Sequence, residues 1–136
     1  MVFNQATDYA LRMSLFLAKQ DSNSITDAAT ICAEELVPKR FLFKIIRDLI
    51  KAGIVKSIRG RNGGFTLGRK PEDITLYDII EAVEGPIALN NCLLDPNKCN
   101  KDATEHCVVH KELEKLRNEL VCKFQSINLK MLAESA

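Results

Sequence analysis

Apolar residues recur at helical spacing in three segments of the N-terminal half. A first helix is predicted over residues 4–20, with an apolar face formed by Phe3, Ala6, Ala10, Met13 and Leu17. A second is predicted from a cap at Ser24 or Thr26 to about Leu36, with Asp27 in its first turn. A third is predicted between Pro38 and Gly53. A short turn around Val37 would join the last two helices, so the pattern is typical of a helix-turn-helix.

The next segment changes from helical to strand-like spacing. Residues 54–58 carry β-branched apolar side chains and predict a strand. A glycine-rich turn at residues 59–64 leads into a returning strand at residues 65–67. A helix-turn-helix followed by this hairpin predicts a winged helix. Thr75 is then expected to cap a short helix from Leu76 to about Glu84, which Gly85 and Pro86 end.

The C-terminal third predicts a polar loop over residues 90–105 and then one long helix over residues 105–132. A narrow apolar stripe follows that helix at Val109, Leu113, Leu116, Leu120, Phe124, Ile127 and Met131. We interpret the stripe as a dimer seam; the alternatives are packing against its own domain or a mixture of both. The predicted fold is mainly α with a small β wing: a winged helix-turn-helix DNA-binding domain (1–86), a cluster-binding loop (87–104) and a dimerisation helix (105–136).

Composition narrows the functional class. The 136 residues contain no apolar run near the ~20 residues of a membrane span, and the start of the chain lacks a secretory pattern. A reducing cytoplasm is therefore expected, in which five cysteines fit a ligand set better than a disulfide framework. No nucleophile–base pair or phosphate-binding glycine loop before a helix is recognised, so neither an enzyme nor a small-molecule substrate is expected.

Basic residues concentrate in one segment. Residues 38–70 hold ten basic residues and one acidic residue, whereas the rest of the chain holds nine basic and seventeen acidic ones. This asymmetry predicts a face for double-stranded DNA; the alternative is a solvated basic surface. Arg40, Lys44, Arg47 and Lys51 share one face of the third helix, which suits the major groove. The predicted DNA contacts are Lys39, Arg40, Phe43, Lys44 and Arg47 on the helix, and Arg59, Arg61, Asn62 and Gly63 on the wing.

Two of these predictions rest on side-chain type. Phe43 could touch a thymine methyl group or lie at the edge of the core, and the sequence favours neither. The glycines of the turn permit a thin loop, which lets Arg59 and Arg61 enter a narrow minor groove. The alternative for the turn is a hairpin that happens to be basic.

Four candidate metal ligands lie within nineteen positions: Cys92, Cys99, Cys107 and His110. Their spacings are longer than the short knuckles of structural zinc sites, which favours an iron–sulfur centre over zinc. His106 competes with His110, but it should point away from Cys107 on a helix. The alternative is three ordinary loop thiols and a surface histidine. Of the remaining cysteines, Cys32 and Cys122 are both expected to pack against apolar neighbours.

Several motifs carry a family resemblance. They are residues 6–12 (ATDYALR), 58–65 (IRGRNGGF) and 79–85 (IIEAVEG), together with the Cys92, Cys99 and Cys107 triplet. With these the chain resembles the IscR/NsrR family of bacterial winged-helix regulators over essentially its full length. The resemblance implies a homodimer on a two-fold-related operator, with an iron–sulfur cluster whose state sets the affinity for DNA.

The two branches of that family imply different ligand sets. The cluster-assembly type, matched at residues 107–110, implies a 2Fe–2S cluster held by the three cysteines and His110, and we favour it. The nitric-oxide sensor type, matched at residues 7–9, implies a 4Fe–4S cluster with Asp8 of the partner subunit as the fourth ligand. The chain departs from the cluster-assembly type at Phe43, where that type has an acidic residue. The alternative function is a cluster-free winged-helix regulator or interaction module, controlled by a protein partner or by thiol oxidation.

Overall fold

The structure is a computed structural model that describes residues 2–135. Its first helix, α1 (Gln5–Lys19), begins at Asn4, whose side chain accepts a hydrogen bond from Thr7 N at 2.9 Å. One face of α1 is buried at Ala10, Met13 and Leu17, as the apolar spacing predicts. The helix therefore forms one wall of the core.

The second helix, α2 (Ala28–Glu35), is capped differently from the prediction. Its N-cap is Asp27, whose Oδ1 accepts from Thr30 N at 2.7 Å. The predicted caps at Ser24 and Thr26 are wrong because Thr26 is extended and pairs its backbone with Phe65. An aspartate at this position also interacts favourably with the positive end of the helix.

The third helix, α3 (Lys39–Lys51), starts directly after Pro38 and buries Leu42, Ile45, Ile46 and Leu49. The connection from α2 turns at Leu36, which has a φ of 52°. Beyond α3, Gly53 adopts a φ of 75° and lets the chain reverse into the wing. The helix-turn-helix is thus confirmed.

The wing consists of two antiparallel strands, β1 (Val55–Ile58) and β2 (Gly64–Leu67), paired Val55 to Leu67 and Ile58 to Gly64. Thr26 extends this hairpin on its other edge: its N donates to Phe65 O at 3.0 Å, and Phe65 N donates to Thr26 O at 2.8 Å. A Cβ at Gly64 would collide with the Thr26 carbonyl. The wing is therefore fastened to the segment that precedes α2.

After a 3-10 turn at Pro71–Asp73, the fourth helix, α4 (Leu76–Glu84), begins at Thr75 as predicted. Thr75 Oγ1 accepts from Asp78 N at 3.1 Å, and Asp78 Oδ2 accepts from Thr75 N at 3.0 Å, which completes a capping box. Ile79 and Ile80 are buried, so α4 packs against α1 and α3.

The C-terminal third differs most from the prediction. The loop contains a short helix, α5 (Asn91–Leu94), and a 3-10 turn at Pro96–Lys98. The prediction of a single long helix is wrong, because the structure has two helices here, α6 (Val108–Gln125) and α7 (Leu129–Ser135). Met1 and Ala136, the outer ends of the predicted DNA-binding domain and dimerisation helix, lie outside the described residues.

Backbone pairing explains the break between α6 and α7. Ile127 O accepts from Leu76 N at 2.9 Å, and Leu129 N donates to Ile74 O at 2.9 Å. Leu129 is 1% exposed and belongs to the core, and α7 packs on α1. The predicted apolar stripe is therefore interrupted, because Leu129, which lies outside it, packs into the core, while Val109, Leu116 and Met131 of the stripe remain exposed. None of the helices within residues 2–135 combines the length and the apolar character that a membrane span requires.

Candidate functional site

The basic face of α3 is available to a partner. The side chains of Lys39, Arg40, Lys44 and Arg47 are all exposed. Among residues 2–135, ion pairs join Arg12 to Asp8, Arg69 to Asp78 and Lys115 to Glu112, and none involves α3 or the wing. The positive charges predicted to meet DNA are therefore not neutralised within the described chain.

Aromatic rings support the N-terminal end of this face. The Arg40 guanidinium lies 5.0 Å from the centroid of the Phe41 ring, and that ring packs against Tyr9 of α1 at 5.8 Å. A cation held over an aromatic face is restrained without being neutralised. Phe43 is 46% exposed, so it lies on the surface rather than in the core. Its contact with a thymine methyl stays a prediction.

The wing turn is thin, as its glycines predict. Gly63 N donates to Gly60 O at 3.0 Å, and Gly60 has a φ of 119°. A Cβ at Gly63 would strike the Ile58 carbonyl, so only glycine fits there. Arg59, Arg61 and Asn62 are exposed around this turn and project from a backbone narrow enough to enter a groove.

Part of the candidate metal site is assembled at the N-terminus of α6. Cys107 is the N-cap, and its Sγ accepts a weak hydrogen bond from His110 N at 3.4 Å. His110 Nδ1 lies 3.1 Å from Cys92 Sγ, which α5 carries. Two of the four predicted ligands are thus in direct contact, and the third lies one turn away on the same helix.

In the described part of the chain, Cys99 makes no hydrogen bond to the Cys92, Cys107 and His110 group. It follows the 3-10 turn, where N–H groups of Ala103 and Lys101 donate to its sulfur and lower the pKa of the Cys99 thiol. Within residues 2–135, no three His, Cys, Asp or Glu side chains converge closely enough to hold a metal ion. The donor set suits an iron–sulfur cluster, but its side chains must converge further to bind one.

The other candidates have separate surroundings. Asp8 forms a 2.6 Å ion pair with Arg12 on the exposed side of α1. His106 is exposed in the turn before α6. Cys32 packs against the core, as predicted, whereas Cys122 is exposed on α6 of the single chain, and its packing beside the dimer stripe stays a prediction.

Two contacts around the loop escaped the sequence-based prediction. Arg117 of α6 donates through Nε to Ile87 O at 2.9 Å, at the start of the loop. Thr7 and Glu84 join the first turn of α1 to the last turn of α4. The spacing of seven between His110 and Arg117 was the available signal, since it puts both on one face of α6.

A charged group on α4 lies beside Arg117. The Tyr77 hydroxyl bonds to the Glu81 carboxylate, which raises the pKa of Tyr77, and the charge of Arg117 acts in the opposite direction. Arg117 is therefore close to α4 as well as to the loop.

Comparison with known proteins places this architecture in a family. Residues 3–135 match the model of the Rrf2 family, described as an iron-dependent transcriptional regulator. The chain belongs to the Rrf2 family. It is 33% identical over 132 residues to a putative HTH-type transcriptional regulator of Aquifex aeolicus, covering 97% of this chain and 91% of that one. It is 38% identical over 104 residues to the HTH-type transcriptional regulator NsrR of Bacillus licheniformis, covering 71% of this chain and 73% of the relative.

Solved structures of Rrf2-type regulators share the fold. The global cysteine regulator CymR of B. subtilis aligns with a TM-score of 0.79 at 28% identity, covering all of this chain and 98% of that one. The T. potens IscR structure also aligns with a TM-score of 0.79, over 99% of this chain and 88% of that one, but at 24% identity it supports the fold alone. The chain is thus an HTH-type transcription regulator of the Rrf2 family. Its relatives are regulators, which supports a non-enzymatic role.

Proposed function

We propose that the protein is a homodimer that binds a two-fold-related DNA operator with an affinity set by an iron–sulfur cluster. The main observation in support of a cluster site is the 3.1 Å contact between His110 Nδ1 and Cys92 Sγ. A soft sulfur ligand and an imidazole, eighteen positions apart in the chain, meet at the end of a helix whose cap is a further cysteine. Resemblance to the IscR/NsrR regulators points to the same residues.

Cys92, Cys99, Cys107 and His110 would hold the cluster, with 2Fe–2S favoured. A 4Fe–4S cluster with Asp8 of the partner subunit as fourth ligand is the alternative. His110 is favoured because it already contacts Cys92, whereas Asp8 is ion-paired to Arg12. A bound cluster supplies a redox- and ligand-sensitive centre. The residues of this chain would respond to cluster binding: Cys99 would move toward the other ligands, and the loop would reorder against α4 and α6.

The dimer proposal rests on the exposed apolar residues of α6. Val108, Val109 and Leu116 are 73%, 59% and 49% exposed, and they occupy one helix of the described chain. Burying them between two copies would remove apolar surface from water. A homodimer would then present two α3 helices and two wings to the operator.

The decisive experiment is anaerobic purification with assays of iron and acid-labile sulfide, followed by Mössbauer spectra. We expect iron and sulfide in equal amounts per subunit, and their loss in Cys92→Ser. His110→Ala and Asp8→Ala, compared separately, identify the fourth ligand. Protein purified this way without iron or sulfide would exclude the cluster, and zinc without sulfide would instead support a structural metal.

A second candidate is cluster-free control through the thiols. It is favoured because no three candidate ligands converge within residues 2–135, and because the N–H groups around Cys99 lower the pKa of its thiol. A lower pKa increases the thiolate fraction, which is the form that reacts with oxidants. One relative is named a global cysteine regulator, and a Staphylococcus aureus CymR was solved in an oxidised form. This function predicts DNA binding that responds to peroxide in iron-free protein.

A further inference from the structure

The segment from Ile87 to Cys92 is held on α6 at both ends. Arg117 Nε donates to Ile87 O at 2.9 Å, and His110 Nδ1 lies 3.1 Å from Cys92 Sγ. His110 and Arg117 are seven positions apart, about two turns or roughly 10 Å along the helix axis, on the same face. Side chains from one face of α6 therefore contact both ends of the segment.

We propose that Arg117 is a positioning residue, which holds the Ile87 carbonyl so that Cys92 meets His110. The Nε–H points at a backbone oxygen rather than at a mobile side chain, so the bond sets where the segment begins. A charged donor to a carbonyl is stronger than a neutral one. Four residues separate Ile87 from Cys92, and that short connection limits how far Cys92 can move once Ile87 is held.

The surroundings of Arg117 support this role. Its Nη1 donates to Asn118 Oδ1 at 3.1 Å, and the side chain is half-buried. Its charge also acts on Tyr77 of α4. Arg117 thus lies where α4, α6 and the loop meet. Lys115, two positions earlier on the same helix, is exposed and pairs only with Glu112 among the described residues, so it provides a matched charge without the loop contact.

The test measures the accessibility of Cys92 in chelator-treated, iron-free protein by iodoacetamide alkylation and peptide mass spectrometry. In Arg117→Gln we expect Cys92 to be alkylated about tenfold faster than in the unsubstituted chain, because the charged hydrogen bond is lost. Lys115→Gln should leave the rate unchanged. A cysteine-containing reference peptide added to every reaction normalises the reagent, and Cys32, packed on the core, reports any general unfolding.

An unchanged Cys92 rate in Arg117→Gln, with Cys32 still protected, would overturn the proposal. Arg117→Met keeps a long side chain without any donor, and we expect it to behave like Arg117→Gln. A rate as slow as that of the unsubstituted chain in Arg117→Met would also overturn the hydrogen-bond role. If Arg117→Gln unfolds and exposes Cys32, the Met variant alone decides.

The positioning role of Arg117 does not require a cluster. It rests on the proposed function only in that the positioned Cys92 would serve as a cluster ligand. The alkylation test uses iron-free protein, so it can succeed even where no cluster binds. In iron-loaded protein, Arg117→Gln should additionally shift the visible absorption of the centre relative to Lys115→Gln. Absence of iron in the unsubstituted protein would contradict the proposed function and leave the alkylation result intact.

Discussion

Thr7 and Glu84, seventy-seven positions apart, are joined by a hydrogen bond of 2.9 Å from Thr7 Oγ1 to Glu84 Oε1. The same carboxylate oxygen accepts from Asn4 N at 2.8 Å, and Thr7 is fully buried. Thr7 Oγ1 also lies 3.1 Å from Asn4 Oδ1, and its single proton serves one acceptor at a time. The start of α1 is thereby fixed to the end of α4, directly before the ligand loop.

Removing this hydroxyl should destabilise the fold. Thr7→Val keeps the shape of the side chain, and we expect it to lower the free energy of unfolding by about 1–2 kcal/mol, because a buried bond to a charged acceptor is lost. Urea denaturation measures the change. Thr7→Val introduced into Glu84→Ala should cost less than it does in the original chain, and equal costs in both backgrounds would argue against the bond.

Leu129 tests whether α7 belongs to the winged-helix core. Leu129→Ala should lower the free energy of unfolding by about 2–5 kcal/mol, because the side chain is 1% exposed and its loss leaves a cavity. Its exposed neighbour Lys130 is the control, and Lys130→Ala should change stability by less than about 0.5 kcal/mol. A Leu129→Ala protein of unaltered stability that no longer dimerises would instead assign α7 to the dimer seam.

Gly64 tests the attachment of the wing to Thr26. In Gly64→Ala the new Cβ would meet the Thr26 carbonyl, so the paired backbones must separate. We expect faster hydrogen exchange at the Phe65 amide, which donates to Thr26 O at 2.8 Å. Gly53→Ala is the comparison: it has open space around the Cβ but a φ of 75°, so strain of about 1–2 kcal/mol should lower stability without loosening Phe65. Equal exchange in both variants would exclude the attachment.

Asp27 should make stability depend on pH. The Thr30 side chain and backbone donate to its carboxylate and lower the pKa of Asp27 below its usual 3.8. A lowered folded-state pKa contributes stability that is present above the unfolded pKa and is lost as pH falls through the folded pKa. The stability difference between the original chain and Asp27→Ala should thus be full at neutral pH and shrink in acid below 3.8. Thermal unfolding across pH measures it, and a difference that grows in acid would contradict this sign.

Arg59 should contribute to the salt dependence of DNA binding if the wing meets a phosphate. With a fragment selected from a random duplex pool, Arg59→Ala should reduce the slope of log affinity against log salt by about 0.9, the value for one phosphate contact on B-DNA. Lys98→Ala removes an exposed charge in the ligand loop and should leave the slope unchanged. Identical slopes for Arg59→Ala and the original chain would remove Arg59 from the interface.

Local patterns in the sequence determined most of the elements. Apolar spacing placed α1 and α3, β-branched residues and glycines placed the wing, and Thr75 marked the start of α4, because these signals act within a few residues of where they occur. The same holds for the basic face of α3, since residues three and four apart on a helix share a side. The four candidate ligands were also evident from residue type and spacing alone.

Only the tertiary structure determined the features that depend on contacts between residues far apart in the sequence. The helix predicted to continue to Leu132 breaks after Gln125, because Ile127 and Leu129 pair with the backbone on either side of Thr75. Asp27 caps α2 because the backbone of Thr26 is paired with Phe65 of the wing. Cys92 meets His110 because α5 carries it to the start of α6 and Arg117 holds Ile87 upstream of it, whereas Cys99 follows a 3-10 turn and has hydrogen-bond partners of its own. Residue type identifies the candidate ligands in the sequence, but contacts across 18 and 30 positions determine where Cys92 lies relative to His110.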